Sequence, residues 1–190
     1  MVWLLHAPAS MPPDDYRTAA VRARERVTEL ILSGAPLSET LEALVGIIES
    51  ATASGMLASI LILDEDGRHL LHGAAPSLPD AYNKAIHGLA IGPEVGSCGT
   101  AAFHNRTVSV FDIANNPLWA NFRDLALQFD LRACWSTPIH GSDGKVLGTF
   151  ANYYRVVRDP SPVDRELTEM ITQAAATAIE HDRQTRLASV

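Results

Sequence analysis

The residue types that could carry chemistry gather in one short segment, Gly96, Ser97, Cys98, Gly99 and Thr100. Ser97 stands where the N-cap of a helix would lie, and the backbone amides after it would then have no acceptor within the helix. Such a helix end carries about +0.5 charge and suits an anion, and the glycines let a ligand approach the backbone closely. The segment predicts a site for an anion or another polar ligand, unless Ser97 only caps its own helix and the glycines only permit a turn.

Cys98 is the candidate nucleophile of this segment, because a helix N-terminus lowers the pKa of a thiol. The second cysteine, Cys134, is predicted to be a small buried hydrophobic residue. Two cysteines are too few for a disulfide framework or a four-cysteine zinc site. We therefore expect a reducing compartment, the cytoplasm.

The other titratable residues form no catalytic set. The seven histidines are scattered without the spacing of metal ligands, and His69 and His72 are three apart in a predicted strand, which places them on opposite faces. Asp112 and Asp124 are interpreted as a turn residue and a solvated helix charge. No paired carboxylates and no Ser-His-Asp arrangement stand out. The sequence predicts no metal, no cofactor and no catalytic residue.

Three large aromatic residues are candidates for a binding role. Trp119 follows Pro117 at the start of a predicted helix, where its indole N–H could donate to an anion. Trp135 lies in a predicted strand, with Cys134 pointing to the opposite face, and Tyr153 lies in the strand that follows. Each of the three rings could equally be an anchor of the hydrophobic core.

Hydrophobic periodicity predicts the elements that must position these residues. The predicted helices are 14–32, a second beginning near 38, and then 80–87, 97–104, 118–129 and 163–187. The predicted strands are 56–63, 69–75, 107–111, 132–139 and 145–154. Two pairs of strands are joined by tight turns, Asp64–Gly67 and Gly141–Gly144, and are interpreted as β-hairpins.

Antiparallel hairpins and partly segregated helices favour an α+β fold, in which helices cover one face of the sheet and loops lie on the other. A doubly wound βαβ fold fits poorly, because tight turns join the strands. The chain is predicted to divide into a flexible leader (1–13), an N-terminal helix (14–36) and one domain that includes a long C-terminal helix (37–188).

Composition excludes several classes of partner. The chain has 190 residues, of which 47% are hydrophobic and 19% charged, with a net charge of −7 and no basic stripe. Binding to nucleic acid or to an anionic membrane surface is therefore not expected. No apolar run reaches the length of about 18 residues that a membrane helix needs. Residues 1–10 lack the basic start of a signal peptide.

Residues 91–102, which read Ile-Gly-Pro-Glu-Val-Gly-Ser-Cys-Gly-Thr-Ala-Ala, resemble the middle of GAF domains, the small-ligand sensory modules of signalling proteins. The resemblance continues through residues 108–113, 131–139 and 144–150 and spans about 37–183. The Pro-Leu-Trp and Ala-Cys-Trp-Ser pieces are similar to the subgroup found beside PAS domains in bacterial sensor kinases and cyclic-dinucleotide enzymes.

The resemblance implies a six-stranded antiparallel sheet, with dimerising helices on one face and a ligand pocket on the other. Five strands are clear from the sequence, and residues 89–93 are the candidate sixth. The resemblance also implies regulation by binding rather than catalysis. The chain carries no kinase phosphate loop, helix-turn-helix or cyclase motif, so it is read as a stand-alone sensor or as the sensory part of a longer protein.

In the fold that the resemblance implies, residues 96–100, Trp119, Trp135 and Tyr153 border one closed pocket. The expected ligand is a small polar or anionic molecule, with nitrate as the first candidate because some stand-alone GAF proteins are nitrate receptors. The expected partners are a second copy of the chain, through the N- and C-terminal helices, and a histidine kinase or another output protein.

An enzyme is the alternative. Free methionine-(R)-sulfoxide reductases, a GAF subfamily, have a similar Gly-x-Cys-Gly-Thr-Ala-Ala segment and need a further catalytic cysteine in the loop after the Asp-containing strand. Here that loop, residues 112–121, has no cysteine, and Cys98 without a resolving thiol would turn over poorly. Neither cysteine is followed by the histidine of bilin-binding GAF domains. We predict a binding protein, with a dimerisation module that has lost its ligand as a third reading.

Overall fold

The computed structural model describes residues 13–52 and 55–188, so the predicted leader lies, except for its last residue, outside the described residues. The helices are α1 Pro13–Leu32, α2 Leu37–Ala51, α3 Asp80–Ile86, α4 Gly96–His104, α5 Arg123–Gln128 and α6 Pro162–Ala188, with a 3₁₀ helix at Pro117–Trp119. The strands are β1 Leu57–Leu63, β2 His69–Ala74, β3 Leu89–Ala90, β4 Val108–Val110, β5 Ala133–His140 and β6 Val146–Tyr154.

The six strands form one antiparallel sheet in the order β3-β2-β1-β6-β5-β4. The predicted α+β class and both hairpins are confirmed, and β3 is the sixth strand expected at 89–93. The first hairpin closes because Asp64 Oδ1 accepts the amides of Arg68 and His69 at 2.7 and 2.9 Å. The longest strand, β6, lies between β1 and β5 in the centre of the sheet. Its side chains alternate between the two faces, so neighbouring residues of β6 face opposite sides.

Helices lie on both faces of the sheet, and each face has its own hydrophobic core. On the face that we call the helix side, α1, α2 and α6 bury Leu44, Ile60 and Phe150 among others. On the opposite face, the pocket side, α3, α4, α5 and the 3₁₀ helix bury Tyr82 and Tyr153 among others. The sequence predicts loops on the pocket side, and the structure places four short helical segments there in addition to loops.

The apolar stripes of α1 and α6 are covered within the chain. Val27, Leu167 and Ile171 are buried in the helix-side core, where α1 packs against α2 and α6, and α6 also packs against the sheet. Val21 and Leu32 remain exposed on α1. No helix among the described residues is long and apolar enough to cross a membrane.

The prediction of one continuous helix at 118–129 is wrong. Pro117 opens a 3₁₀ turn, whose start is capped by Asn116 Oδ1 accepting from the amide of Leu118 at 3.0 Å. Phe122 then leaves the helical conformation, with φ −123° and ψ −3°, before α5 begins at Arg123. The amphipathic spacing is correct, but the break allows the rings of Trp119 and Phe122 to turn toward the start of α4. A Cβ built onto Gly96 would lie 3.9 Å from atoms of both rings.

Candidate functional site

A small cavity lies on the pocket side of the sheet, and we call it the α4 pocket. Leu61 and Tyr153 come from the sheet, and the other lining residues come from α3, β3, α4, the 3₁₀ helix and α5 or, as Val95 and Phe122, directly precede α4 and α5. Its volume is about 20 Å³. A single water needs about 10–15 Å³ of such space, so the pocket in this conformation holds one water-sized molecule.

Ser97 is not the N-cap that the sequence predicts. The helix begins one residue earlier, at Gly96, with Val95 as N-cap. The Ser97 hydroxyl donates to the carbonyl of Cys134 over 3.0 Å and accepts from the indole Nε1 of Trp119 over 3.1 Å. Ser97 therefore ties α4 to β5 and to the 3₁₀ helix.

The two glycines and Thr100 have different roles from one another. Gly96 has φ +54°, a left-handed conformation that side-chain-bearing residues rarely adopt. A Cβ on Gly99 would lie 2.7 Å from the Cβ of Val95, so glycine is needed there for packing. The Thr100 hydroxyl accepts from the amide of Val95 at 3.0 Å. Gly99 and Thr100 shape the start of α4 and do not line the α4 pocket.

The first turn of α4 offers unused donors, earlier in the chain than a Ser97 N-cap would place them. Within the described part of the chain, no hydrogen-bond acceptor is found for the amides of Gly96, Ser97 and Cys98, and all three residues line the α4 pocket. The positive end of a helix and its free amides favour an acceptor or a negative charge at this position.

Two aromatic residues form walls of the α4 pocket. Trp119 is buried, but its N–H is used by Ser97, so it contributes an apolar wall and not the free donor that we expected. Tyr153 Oη accepts from Ser59 Oγ at 3.5 Å and lies 3.8 Å from Cys98 Sγ. Its ring meets that of Tyr82 edge to face at 5.8 Å. Burial raises the pKa of both tyrosines, which keeps the phenols protonated.

Trp135 is not brought together with the other predicted site residues, so the prediction that it borders the same pocket is wrong. It lies on the helix side, in the core with α1, α2 and α6. The ring centroids of Trp135 and Tyr154 are 4.7 Å apart, with the planes tilted by 38°. The Cζ of Arg158 lies 5.2 Å from the centroid of the Trp135 ring. Side chains alternate along a strand, so placing Trp135 on the helix side puts Cys134 on the pocket side.

Cys134 is the residue that sequence reasoning missed. It lies in the same pocket-side core as Cys98, and its carbonyl accepts from Ser97, the residue before Cys98, over 3.0 Å. The neighbouring Cys134 thiol lowers the pKa of the Cys98 thiol, and burial raises the pKa of the Cys134 thiol. Cys98 is therefore not the lone thiol that the sequence suggested. The alternation along β5 places Cys134 opposite Trp135, but it does not say which of the two faces the pocket, so the sequence carried no signal that finds the pair.

Charged side chains do not line the α4 pocket. Every one of its described lining residues is apolar, aromatic, Gly, Ser or Cys. Elsewhere, Asp64, Asp66 and His69 come within 4.8 Å of one another at the exposed turn of the first hairpin. The Asp64 carboxylate already accepts the backbone amides that close this turn, which explains its position without a metal ion.

The fold is similar to that of known sensory and catalytic proteins. A GAF sensor protein from Burkholderia vietnamiensis superposes with a TM-score of 0.70 at 21% identity, over 90% of this chain and 97% of that chain. The free methionine-R-sulfoxide reductase from Neisseria meningitidis, solved in complex with its substrate, gives 0.73 at 17% identity, over 97% and 99%. At these identities the likeness concerns the fold alone.

Two comparisons of sequence identify the family. The methyl sulfide methyltransferase-associated sensor of Methanosarcina acetivorans is 38% identical over 161 residues, which make up 85% of this chain and 16% of that protein. The chain thus spans about a sixth of the length of this relative. Residues 34–180 match the family model described as the GAF domain. The chain therefore belongs to the GAF domain family.

Proposed function

We propose that the chain is a sensory GAF domain that binds a small polar molecule, neutral or singly charged, in the α4 pocket. The observation that carries the proposal is the set of free amides at Gly96, Ser97 and Cys98, three residues that line a mostly apolar pocket. A few directed donors inside an apolar cavity are typical of small-ligand sites, because the exclusion of water strengthens each hydrogen bond.

The charge and size of the pocket limit the ligand. The described lining residues include no lysine or arginine, so a multiply charged anion would be buried without a counter-charge. A volume of about 20 Å³ holds one water-sized molecule, so nitrate, the first candidate, already requires a small outward movement of the pocket walls. Larger ligands require Tyr82 or Phe122 to move outward.

Strand β6 supplies a route from the pocket to the helices. Tyr153 faces the α4 pocket, and its two neighbours face α6. Asn152 Nδ2 donates to Thr168 Oγ1 over 3.1 Å, and Tyr154 Oη donates to Asp164 Oδ1 over 3.3 Å. We infer that a ligand that displaces Tyr153 shifts α6, which passes the signal to a histidine kinase or another output protein in the cytoplasm. The relative that is named a sensor supports this reading.

Ligand binding is expected to change the emission of Trp119, whose ring forms a wall of the pocket. Titration of nitrate, small carboxylates and neutral amino acids, followed by tryptophan fluorescence, checks this. Trp119→Ala should weaken binding by roughly 1–3 kcal/mol, because the wall opens and Ser97 loses its donor. Val157→Ala, at an exposed position, is the matched control. Protein that is purified empty and binds no member of the panel would support the dimerisation module instead.

The reductase alternative gains one feature from the structure, because Cys134 gives Cys98 a second thiol. The α4 pocket opposes it, because about 20 Å³ does not admit methionine sulfoxide. We expect no turnover of free methionine sulfoxide above background with a thiol reductant, and Cys98→Ser should leave fold and ligand affinity nearly unchanged. Robust turnover that Cys98→Ser abolishes would establish the enzyme in place of the binding protein.

A homodimer through α1 and α6 stays a prediction. Most of the apolar surface of these helices is used within the chain, so the second copy would contact their outer faces, where Val21, Leu32 and Leu187 are exposed. Light scattering at micromolar concentrations should give twice the mass of the chain. Val21→Glu should then dissociate the dimer, because it buries a charge in the contact. A monomer at these concentrations would contradict the prediction.

A further inference from the structure

Two cysteine thiols lie in the pocket-side core, one of them in the lining of the α4 pocket, and the function proposed above uses neither thiol. Cys98 lies in the first turn of α4, and Cys134 lies in β5 on the pocket side. The bond of 3.0 Å from Ser97 Oγ to the Cys134 carbonyl ties the two elements together at this point. Both thiols are free and lie in the pocket-side core, and the Cys134 thiol is the largest influence on the pKa of Cys98.

The two thiols differ in their access to the pocket. Cys98 lines it and is 8% exposed, whereas Cys134 is fully buried behind Cys98 and does not line it. A molecule in the α4 pocket therefore meets Cys98 first. This order is that of an attacking thiol and a resolving thiol.

The surroundings also favour Cys98 as the nucleophile. The neighbouring side chains of Cys134, Ser136 and Tyr153 lower the pKa of the Cys98 thiol, and burial raises the pKa of Cys134. Tyr153 Oη lies 3.8 Å from Cys98 Sγ and stays protonated, so it can donate to a thiolate. A thiolate held in this way is the reactive form of cysteine.

The size of the cavity selects a very small oxidant. Hydrogen peroxide has two heavy atoms, close to the single water-sized molecule that about 20 Å³ holds. The free amides of Gly96 and Ser97 can donate to its oxygens as negative charge develops on the departing one. Bulky organic hydroperoxides do not fit.

We propose that Cys98 and Cys134 form a peroxide-reactive dithiol site, in which hydrogen peroxide in the α4 pocket oxidises the pair to a disulfide. The Cys98 thiolate attacks one peroxide oxygen, the O–O bond breaks, and the departing hydroxide takes up a proton, which leaves a sulfenic acid and one water. The Cys134 sulfur then attacks the Cys98 sulfur, and its proton leaves with the hydroxyl as a second water. Two thiols and one peroxide thus become one disulfide and two waters.

Oxidation would also change the pocket itself. The two sulfurs must approach to about 2.0 Å, which draws the first turn of α4 toward β5. Ser97 belongs to that turn and is hydrogen-bonded to Trp119, so the movement would also shift the Trp119 wall of the pocket. The reaction uses the pocket but does not depend on the identity of its ligand, so its test is separate from the binding test above.

The test adds stoichiometric hydrogen peroxide to the reduced full chain and then blocks free thiols with N-ethylmaleimide under denaturing conditions. The expected product lacks two hydrogens, takes up no maleimide, and yields one linked tryptic pair, residues 85–106 with 133–145. A dithiol reductant should restore both thiols. Cumene hydroperoxide should react at least about tenfold more slowly, because it does not fit the cavity. Two alkylated thiols after hydrogen peroxide, or equal rates for the two oxidants, would overturn the proposal.

Two single variants separate the steps. Cys134→Ser should stop at a Cys98 sulfenic acid that dimedone traps, whereas Cys98→Ser should leave Cys134 reduced. A dimedone adduct on Cys134 in the Cys98→Ser variant would contradict the assigned order. If either serine variant fails to fold, the alanine variant and the mass of the oxidised wild-type chain still decide the outcome.

Discussion

Gly148→Ala is expected to destabilise the fold by at least about 3 kcal/mol. Gly148 lies in β6 between β1 and β5, where it pairs with Ile62 and Ile139. An added Cβ would overlap the carbonyl oxygen of Leu61 and lie 3.1 Å from the Cα of Ile62. These neighbours are backbone atoms of the central sheet, so relief requires the two strands to separate. Urea denaturation measures the loss, and an insoluble variant would be its extreme form.

Gly46→Ala is the matched control for this prediction. Gly46 lies inside α2, and an added Cβ would meet nothing within 4 Å. Alanine at such a helix position should raise the free energy of unfolding by about 0.5–1 kcal/mol, because it restricts the unfolded chain. Similar midpoints of denaturation for Gly148→Ala and Gly46→Ala would contradict the close approach of the β1 backbone to Gly148.

Ser97→Ala is expected to lower the free energy of unfolding by about 1–3 kcal/mol, or roughly 2–4 °C in Tm for each kcal/mol. The Ser97 hydroxyl is the acceptor for the buried indole N–H of Trp119 and a donor to the Cys134 carbonyl. Its removal leaves the indole N–H unpaired in an apolar environment. The emission of Trp119 should therefore change together with the stability.

Ser136→Ala separates this effect from the loss of any buried hydroxyl. Ser136 is as buried as Ser97, but the described residues offer its hydroxyl no partner except the weakly accepting sulfur of Cys98. We expect its change in unfolding free energy to stay below about 1 kcal/mol, because little hydrogen bonding is lost. Equal losses for the two alanine variants would show that the Ser97 bonds do not carry the stability.

Local signals were enough to predict most of the elements. The turns Asp64–Gly67 and Gly141–Gly144 lie between apolar strands, and this pattern closes hairpins without help from distant residues. The helix 118–129 was mispredicted because the amphipathic spacing continues through a backbone break. Pro117 and Asn116 signal the start of the 3₁₀ turn, but the turn at Phe122 depends on packing against α4.

The site was predicted only in part. Residues 96–98 and Tyr153 come together as expected, because the start of α4 follows from local glycine chemistry and the strand alternation of β6 is regular. The role of Ser97 was mispredicted because Gly96 adopts a left-handed conformation and moves the helix start back by one residue. Its actual partners, Trp119 and Cys134, are distant in sequence.

The sequence by itself determined the α+β class, the hairpins, and the division of β5 into one set with Trp135 and another with Cys134. Only the tertiary structure decided which set faces the pocket. Alternation has a period of two and specifies two faces, but it does not say which face the long helices cover. That choice depends on packing of α2 and α6 against distant strands, and it buries Trp135 on the helix side while it places Cys134 in the same core as Cys98.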